Sequence, residues 1–281
     1  MADASAAPPW QRILLATEHT TFDVGAERLA LELARRGNGK LAVVLPIEAN
    51  LEILSELPLE AARLDDEAAG RRRDLLAAAR AAGVDASVSV REEGELWRAI
   101  VAQASDAKAD LVVIRRRGHR GFIAQYAFGE SARAVAARAP CDVLVVPRAA
   151  TYWTRAVVAA VDAARATERV AATAARVAAW SGLPLHVVSV AAGTASDARD
   201  AAEGALRRAA GAIAPLGLRA ETMLRVGKAE QEIPAVVRDL GADLVVVGHR
   251  SSRDLFHLRR LGATAHGVIA RTGTAVLVAR T

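Results

Sequence analysis

Ala109–Pro147 reads ADLVVIRRRGHRGFIAQYAFGESARAVAARAPCDVLVVP, and Ala242–Arg280 reads ADLVVVGHRSSRDLFHLRRLGATAHGVIARTGTAVLVAR. The two stretches overlay without a gap at an offset of 133 residues, which sets Asp110 on Asp243, Gly129 on Gly262 and Val143 on Val276. Each copy runs apolar strand, irregular Gly/Arg/Ser loop, Gly-led helix, apolar strand. An irregular loop that feeds a helix N-terminus can gather backbone N–H groups around an anion. The duplicated block is therefore both the key to the fold and the first place to seek function.

Working outward, the same order of elements appears on the N-terminal side of each copy. Arg12–Thr17 (RILLAT) is a short buried strand followed by Glu18, and Val157–Val161 followed by Asp162 matches it at an offset of 144. A helix is expected over 23–36, with Ala26, Leu29, Ala30 and Leu33 on one stripe and Gly37-Asn38-Gly39 as the stop. Its counterpart covers 166–180 and ends at Gly182. Leu41–Leu45, closed by Pro46, and Leu185–Val190 are the second strands. Residues 47–59 read as a loop or short helix, followed by a long Ala/Arg helix over 59–82 and a third strand over 86–90. The second half answers with a helix over 196–215 and a strand over 218–226. Gly94 and Gly227 then each precede a helix, with Glu92, Glu93 and Glu95 placed to complement the dipole of the first one.

The offset falls from 144 to 133, so the second half is 11 residues shorter between its second strand and Gly227. A repeat that keeps element order and register over most of the chain signals duplication. Short apolar strands alternating with helices imply parallel α/β sheets covered on both faces, joined by right-handed crossovers. Two domains are expected, at 1–150 and 151–281.

The totals restrict what such domains do. The chain of 281 residues is 52% apolar, a figure inflated by Ala, and 4% aromatic. No apolar run approaches the roughly 20 residues a membrane span needs. Met1–Pro9 lacks a basic and an apolar region and is expected to be a ragged terminus, not a signal peptide. The single cysteine, Cys141, excludes an internal disulfide and suits a cytoplasmic protein; it reads as a small buried hydrophobe. The net charge of +5 is uneven: residues 1–150 hold 20 Lys/Arg and 21 Asp/Glu, and the rest hold 17 and 11. The cations are mixed with acids along helices, as at Glu67 and Arg71, and no aromatic-interleaved basic platform appears, so a nucleic-acid partner is not expected.

Both halves resemble the universal stress protein family, and the whole chain resembles its tandem form. The resemblance is carried by a strand ending in an acid (ILLATE, VVAAVD), a middle strand such as LHVVSV, Gly94 and Gly227 before a helix, and the duplicated block itself. It implies two five-stranded parallel sheets of the adenine-nucleotide-hydrolase-like, Rossmann type. It also implies a stress-response or regulatory role. ATP-binding members hold adenine with the strand-one Asp and a strand-two Val, and the phosphates with G-x2-G-x9-G-[ST], whose glycines let backbone N–H groups approach the phosphates. In the second half the matching positions are Asp162, Val190, Gly248, His249, Ser251, Gly262, Ala263 and Thr264, with a spacer one residue longer than the pattern's. Ser251 replaces the second Gly, and Ala263 stands where the hydroxyl is expected, with Thr264 next. In the first half the positions are Glu18, Pro46, Arg115, Gly118 and Gly129, and Glu130 precedes Ser131, which sets a carboxylate where phosphates would lie. ATP is accordingly an expectation for the second half alone. The alternatives are a scaffold of the same family that acts through protein partners and, in third place, an adenine-nucleotide-dependent enzyme of the broader superfamily. The resemblance further implies that the last strands, Val143–Val146 and Val276–Ala279, pair the halves as a pseudo-dimer.

Other side chains carry less. Arg115-Arg116-Arg117-Gly118-His119-Arg120 reads either as an anion clamp or as a solvated loop paired with Glu92, Glu93 and Glu95. The histidines at 19, 119, 186, 249, 257 and 266 lack metal-ligand spacing, and His186 reads as a satisfied core residue. No nucleophile–base pair is recognisable, so catalysis has no named residue. Tyr152, Trp153 and Trp180 are expected to pack the halves together and not to stack on a base.

Overall fold

The computed structural model describes residues 6–48, 58–116, 129–163, 166–249, 252–253 and 259–281. One compact unit takes in the described residues from Trp10 to Thr151, and the other those from Tyr152 to Thr281 together with residues 6–9. In the first, β1 (Arg12–Ala16), α1 (Val24–Gly37), β2 (Lys40–Glu48), α2 (Pro58–Ala81), β3 (Ala86–Glu93), α3 (Leu96–Asp106), β4 (Leu111–Arg115), α4 (Glu130–Arg138) and β5 (Asp142–Val146) follow one another. Their strands are parallel in the order β3-β2-β1-β4-β5.

The second unit contains β6 (Val157–Val161), α5 (Thr167–Ser181), β7 (Leu185–Ala191), α6 (Ser196–Ile213), β8 (Ala220–Val226), α7 (Ala229–Asp239), β9 (Leu244–Gly248), α8 (Ala263–Arg271) and β12 (Ala275–Ala279). A two-residue antiparallel pair, β10 (Ser252–Arg253) and β11 (Arg259–Arg260), precedes α8. The main strands run parallel in the order β12-β9-β6-β7-β8.

The duplication holds at the level of register. Ile13 lies between Leu41 and Leu111, and Val157 lies between Leu185 and Leu244. Ala86 and Ala220 then sit opposite Leu41 and Leu185, an offset of 134. Ten of the 11 missing residues therefore fall before the third strand, and the last falls between it and Gly227. The conserved geometry has a visible fastener. Asp110 accepts hydrogen bonds from the backbone N–H of Gln11 (3.0 Å) and Arg12 (2.9 Å), and Asp243 does the same for Thr154 (2.7 Å) and Arg155 (3.2 Å). Each pins the start of the neighbouring strand, so the first acid of the duplicated block is structural.

The strands read as continuous apolar runs because both faces are covered. Leu111–Val113, Val157–Ala159 and Leu244–Val246 are fully buried. Each such Leu or Val contributes about 1.5–3 kcal/mol by leaving water. The helices meet the sheet through small side chains: α1 buries Gly25, Ala26, Leu29, Ala30, Leu33 and Ala34. At Gly25 the approach is so close that a Cβ would lie 2.3 Å from the Pro147 carbonyl oxygen.

Several expectations are revised. Strand β2 continues through Pro46 to Glu48, where Pro46 pairs with Arg91. Its partner β1 ends opposite Val44, so beyond that point the missing N–H breaks no ladder on that side. Glu92 and Glu93 extend β3 and do not open a helix. The expected loop or short helix at 47–59 lies largely outside the described residues. Trp153 is buried, stacks on Tyr152 at 4.7 Å and donates to Ser181 Oγ at 2.8 Å, while Trp180 meets Tyr152 edge-on at 6.2 Å. These contacts tie the start of the second half to the end of its own α5. His186 is half-buried opposite Glu221; its Nδ1 stands 3.2 Å from Oε2 without hydrogen-bond alignment, so it is an edge contact and not a satisfied core group.

Candidate functional site

In each half the strand order reverses beside the first strand, between β1 and β4 and between β6 and β9. Open α/β sheets bind ligands outside the carboxyl ends of the strands at such a point. The two crevices arise from equivalent residues and are filled differently.

In the first half the crevice is occupied by the protein's own charges. Arg115, at the end of β4, donates from Nη2 to Glu18 Oε1 at 2.6 Å and from Nη1 to Asp23 Oδ2 at 2.9 Å. It also donates to Thr20 Oγ1 at 3.2 Å. Asp23 is 1% exposed, and the same Oδ2 accepts the N–H and hydroxyl of Thr20 at 3.0 and 2.6 Å. Next to it, Glu27 Oε1 accepts from Thr17 Oγ1 at 2.6 Å and lies 2.9 Å from His19 Nδ1. His19 is held at φ +53°, its N–H donating to Thr17 Oγ1 at 2.8 Å. Arg115 therefore pairs with Glu18 and Asp23, and not with the Glu92–Glu95 run. Glu95 is paired with Arg98 at 2.6 Å, and hydrogen bonds from Arg98 and then Trp97 hold its carboxyl below the usual carboxylate range. Helix α4 opens with the exposed Glu130, and Gly118 lies outside the described residues.

The second half places different groups at the same positions. Asp162 is exposed at the end of β6, its backbone carbonyl accepting from Thr167 Oγ1. Thr167, buried, stands where Asp23 stands in the first half. Val190 is half-buried near the end of β7. Gly248 ends β9 in the place of Arg115, and a Cβ there would lie 3.2 Å from Val170 Cγ2. The step from Ala26 to Val170 thus occupies part of the space that the Arg115 side chain crosses. His249 is 4% exposed; its N–H donates to the Ala279 carbonyl at 3.0 Å, and its Nε2 lies 3.3 Å from Arg280 Nη1. Gly262 caps α8 without a side-chain acceptor, and the first turn, with Ala263 and Thr264 exposed, carries no acid. The first N–H groups of a helix have no partner within it. Ser251 and Arg250 lie outside the described residues.

Asp162, Gly248, His249 and Gly262 thus all belong to the carboxyl rim of the second half's strands. Asp23 and Arg280 were missed by sequence reasoning. For Asp23 a signal existed: Asp23 with Arg115 in one half faces Thr167 with Gly248 in the other, a paired loss of opposite charges. Among the described residues no three His, Cys, Asp or Glu side chains gather as a metal site, and no helix is long and apolar enough to cross a membrane.

Known proteins place this architecture. The profile of the universal stress protein family matches residues 9–147 and again 154–280. A putative universal stress protein from Pseudomonas aeruginosa UCBPP-PA14 is 18% identical, with 98% of this chain and 95% of that one covered and a TM-score of 0.68. A universal stress protein from Archaeoglobus fulgidus DSM 4304 is also 18% identical, with 96% and 98% covered and a TM-score of 0.71. These likenesses concern the fold. A shorter A. fulgidus universal stress protein, solved in complex with dAMP, is 27% identical and covers 44% of this chain and 95% of its own, at a TM-score of 0.37. No curated protein matches the chain. With the family profile matching both repeats in turn, this chain belongs to the universal stress protein family.

Proposed function

We propose that this protein is an adenine-nucleotide-responsive regulator in which the second half receives the nucleotide and the first half is a fixed scaffold. One observation carries the reading: the crevice of the first half is crossed by Arg115 on Glu18 and Asp23, whereas no side chain from the end of β9 enters its counterpart. In that crevice Asp162 and Val190 would take the adenine. The α8 N-terminus at Gly262, Ala263 and Thr264 would receive the phosphates of ATP, with the Arg280 guanidinium held at the same rim. His249 Nε2, 3.3 Å from Arg280 Nη1, ties that arginine to the rim. The one-residue longer spacer lets Thr264 stand in for the hydroxyl that Ala263 lacks.

Val170 favours a second reading. Because it accounts for Gly248 by packing alone, the glycine would persist in a scaffold that meets only protein partners. Titration of the full chain with ATP and AMP separates the two. Under the nucleotide reading the wild type binds with a Kd below about 1 mM, and Asp162→Ala with Gly262→Val weakens it by roughly 1.4 kcal/mol or more per substitution. Mass spectrometry of the freshly purified protein then finds adenine nucleotide. No heat of binding at millimolar ATP would leave the scaffold reading.

A further inference from the structure

The opposite end of the second half, where β6, β9 and β12 begin, contains a feature the nucleotide reading does not use. A cavity of about 320 Å3 opens there, with Arg155, Arg238, Gly241, Arg271, Thr272 and Thr274 among its lining residues. Three arginines therefore line one small space. Arg155 Nε stands 3.6 Å from Asp243 Oδ2, and Arg238 Nε is 4.0 Å from Asp239 Oδ1. Arg271 donates one N–H to the Gly267 carbonyl at 3.4 Å. Each guanidinium carries five N–H donors, so these contacts leave most of the donors for another acceptor. Asp243 is a weak competitor, because its carboxylate already accepts the backbone N–H groups of Thr154 and Arg155.

Thr274 is in the wall, its Oγ1 enclosed and without a hydrogen-bond partner in the protein. Gly241, at φ +61°, brings its turn within 3.7 Å of Arg155 Nη1, measured from where a Cβ would sit.

Neutralising helix C-termini does not explain the cluster. In the first half the same positions hold Gln11, Ser105, Lys108, Arg138, Ala139 and Cys141. There Arg138 lies 4.5 Å over the Trp97 ring, and α3 has no basic residue in its last turn where α7 has Arg238. The same fold thus forms without the trio. A small concave site lined by three arginines matches the chemistry of a multiply charged tetrahedral oxyanion. We infer that this cavity binds a phosphate group, either free or carried as the monoester of a small molecule, independently of the rim at the other end of the sheet.

The test is calorimetric titration of the full chain in chloride buffer with inorganic phosphate and, separately, with glycerol phosphate. Tighter binding of the first identifies the free ion as the source, and tighter binding of the second identifies the monoester. Arg155→Gln/Arg238→Gln/Arg271→Gln is expected to abolish binding, and Arg238→Gln alone to weaken it roughly fivefold. Asp162→Ala/Gly262→Val should bind phosphate like the wild type, which separates this site from the nucleotide crevice. Affinity should fall as chloride rises. Thermal melting in phosphate-free buffer checks that the triple variant is folded; if it is not, Arg238→Gln, an exposed side chain, decides. No binding at about 10 mM phosphate, unchanged affinity in Arg238→Gln, or loss in the Asp162/Gly262 variant instead would each overturn the inference.

Discussion

The carboxyl rims of the two halves descend from one pattern and have reached opposite electrostatic solutions. In the first, a buried acid and a half-buried arginine neutralise each other across the switch point, with Glu18 on the solvent side. In the second, both members of the buried pair are gone: Thr167 replaces Asp23, Gly248 replaces Arg115, and Val170 fills part of the volume. The lesson is that neither member can leave alone. A buried carboxylate without its partner costs several kcal/mol, while replacing the pair together is close to neutral.

That coupling is the place to break the comparison hardest. Arg115→Met should destabilise the chain by about 3 kcal/mol, because it strands Asp23. Adding Asp23→Thr should return most of the loss, since it installs the residue found in the second half. Urea unfolding of the two single variants and the double variant measures this; additive losses would mean that the pair is not coupled. Gly25 supplies the next test. The second half has Arg169 there, donating to the Arg280 carbonyl at 3.3 Å, whereas Gly25 packs directly on the Pro147 and Arg148 carbonyls. Gly25→Ala should cost about 2 kcal/mol through overpacking, read as a lower urea midpoint.

A smaller effect sharpens what belongs to the second half alone. Ser181→Ala removes the acceptor of Trp153 and the partner of Tyr152. A loss of about 1 kcal/mol is expected, with a shifted Trp fluorescence in the folded state. The smallest concerns pH. Glu32 on α1 is bound by Arg35 at 2.8 Å and by Arg36 at 2.5 Å, and the Arg35 hydrogen bond, ahead of the Arg36 contacts, holds its carboxyl below the ordinary value. A depressed carboxyl stabilises the fold above its unfolded-state pKa and loses that contribution as the pH falls through its folded-state value. Glu32→Gln should therefore cost about 0.5 kcal/mol at neutral pH and nothing in acid, measured by unfolding at both.

Much of this fold is legible in the sequence because its signals are local. Runs such as Leu111–Ile114 and Leu244–Val247, punctuated by Gly94, Gly182 and Gly227, fix element order, and duplication checks each assignment against a second copy. Pro46 was misplaced because whether a missing N–H matters depends on where the neighbouring strand stops. Of the two readings of the Arg115 cluster, neither names the partners of Arg115, because Glu18 and Asp23 lie more than 90 residues away and the Glu92 run only looks closer. At the rim, the residue types at Asp162, Gly248 and Gly262 were readable, but the packing of Val170 on Gly248 and the contact of Arg280 with His249 belong to tertiary structure alone.

The ten residues that separate the halves before the third strand leave a further mark. Helix α2 has 24 residues and α6 has 18, about 36 and 27 Å at 1.5 Å per residue. In α6 buried contacts begin at Ala202, one turn and a half from its start, and recur to its end. In α2, among the described side chains of residues 62–67, Leu64 is half-buried and the others are exposed, and Ala68 is the first fully buried one described, ahead of Leu75 and Ala79. The stretch over 62–67 is held by its own backbone ladder with little apolar surface beneath, so its amides should exchange with solvent through local opening long before those of α1 or α5. The stretch over 62–67 is thus a separable unit of cooperativity: its amides should exchange ahead of those from Ala68 onward and leave the slowest-exchanging strands untouched.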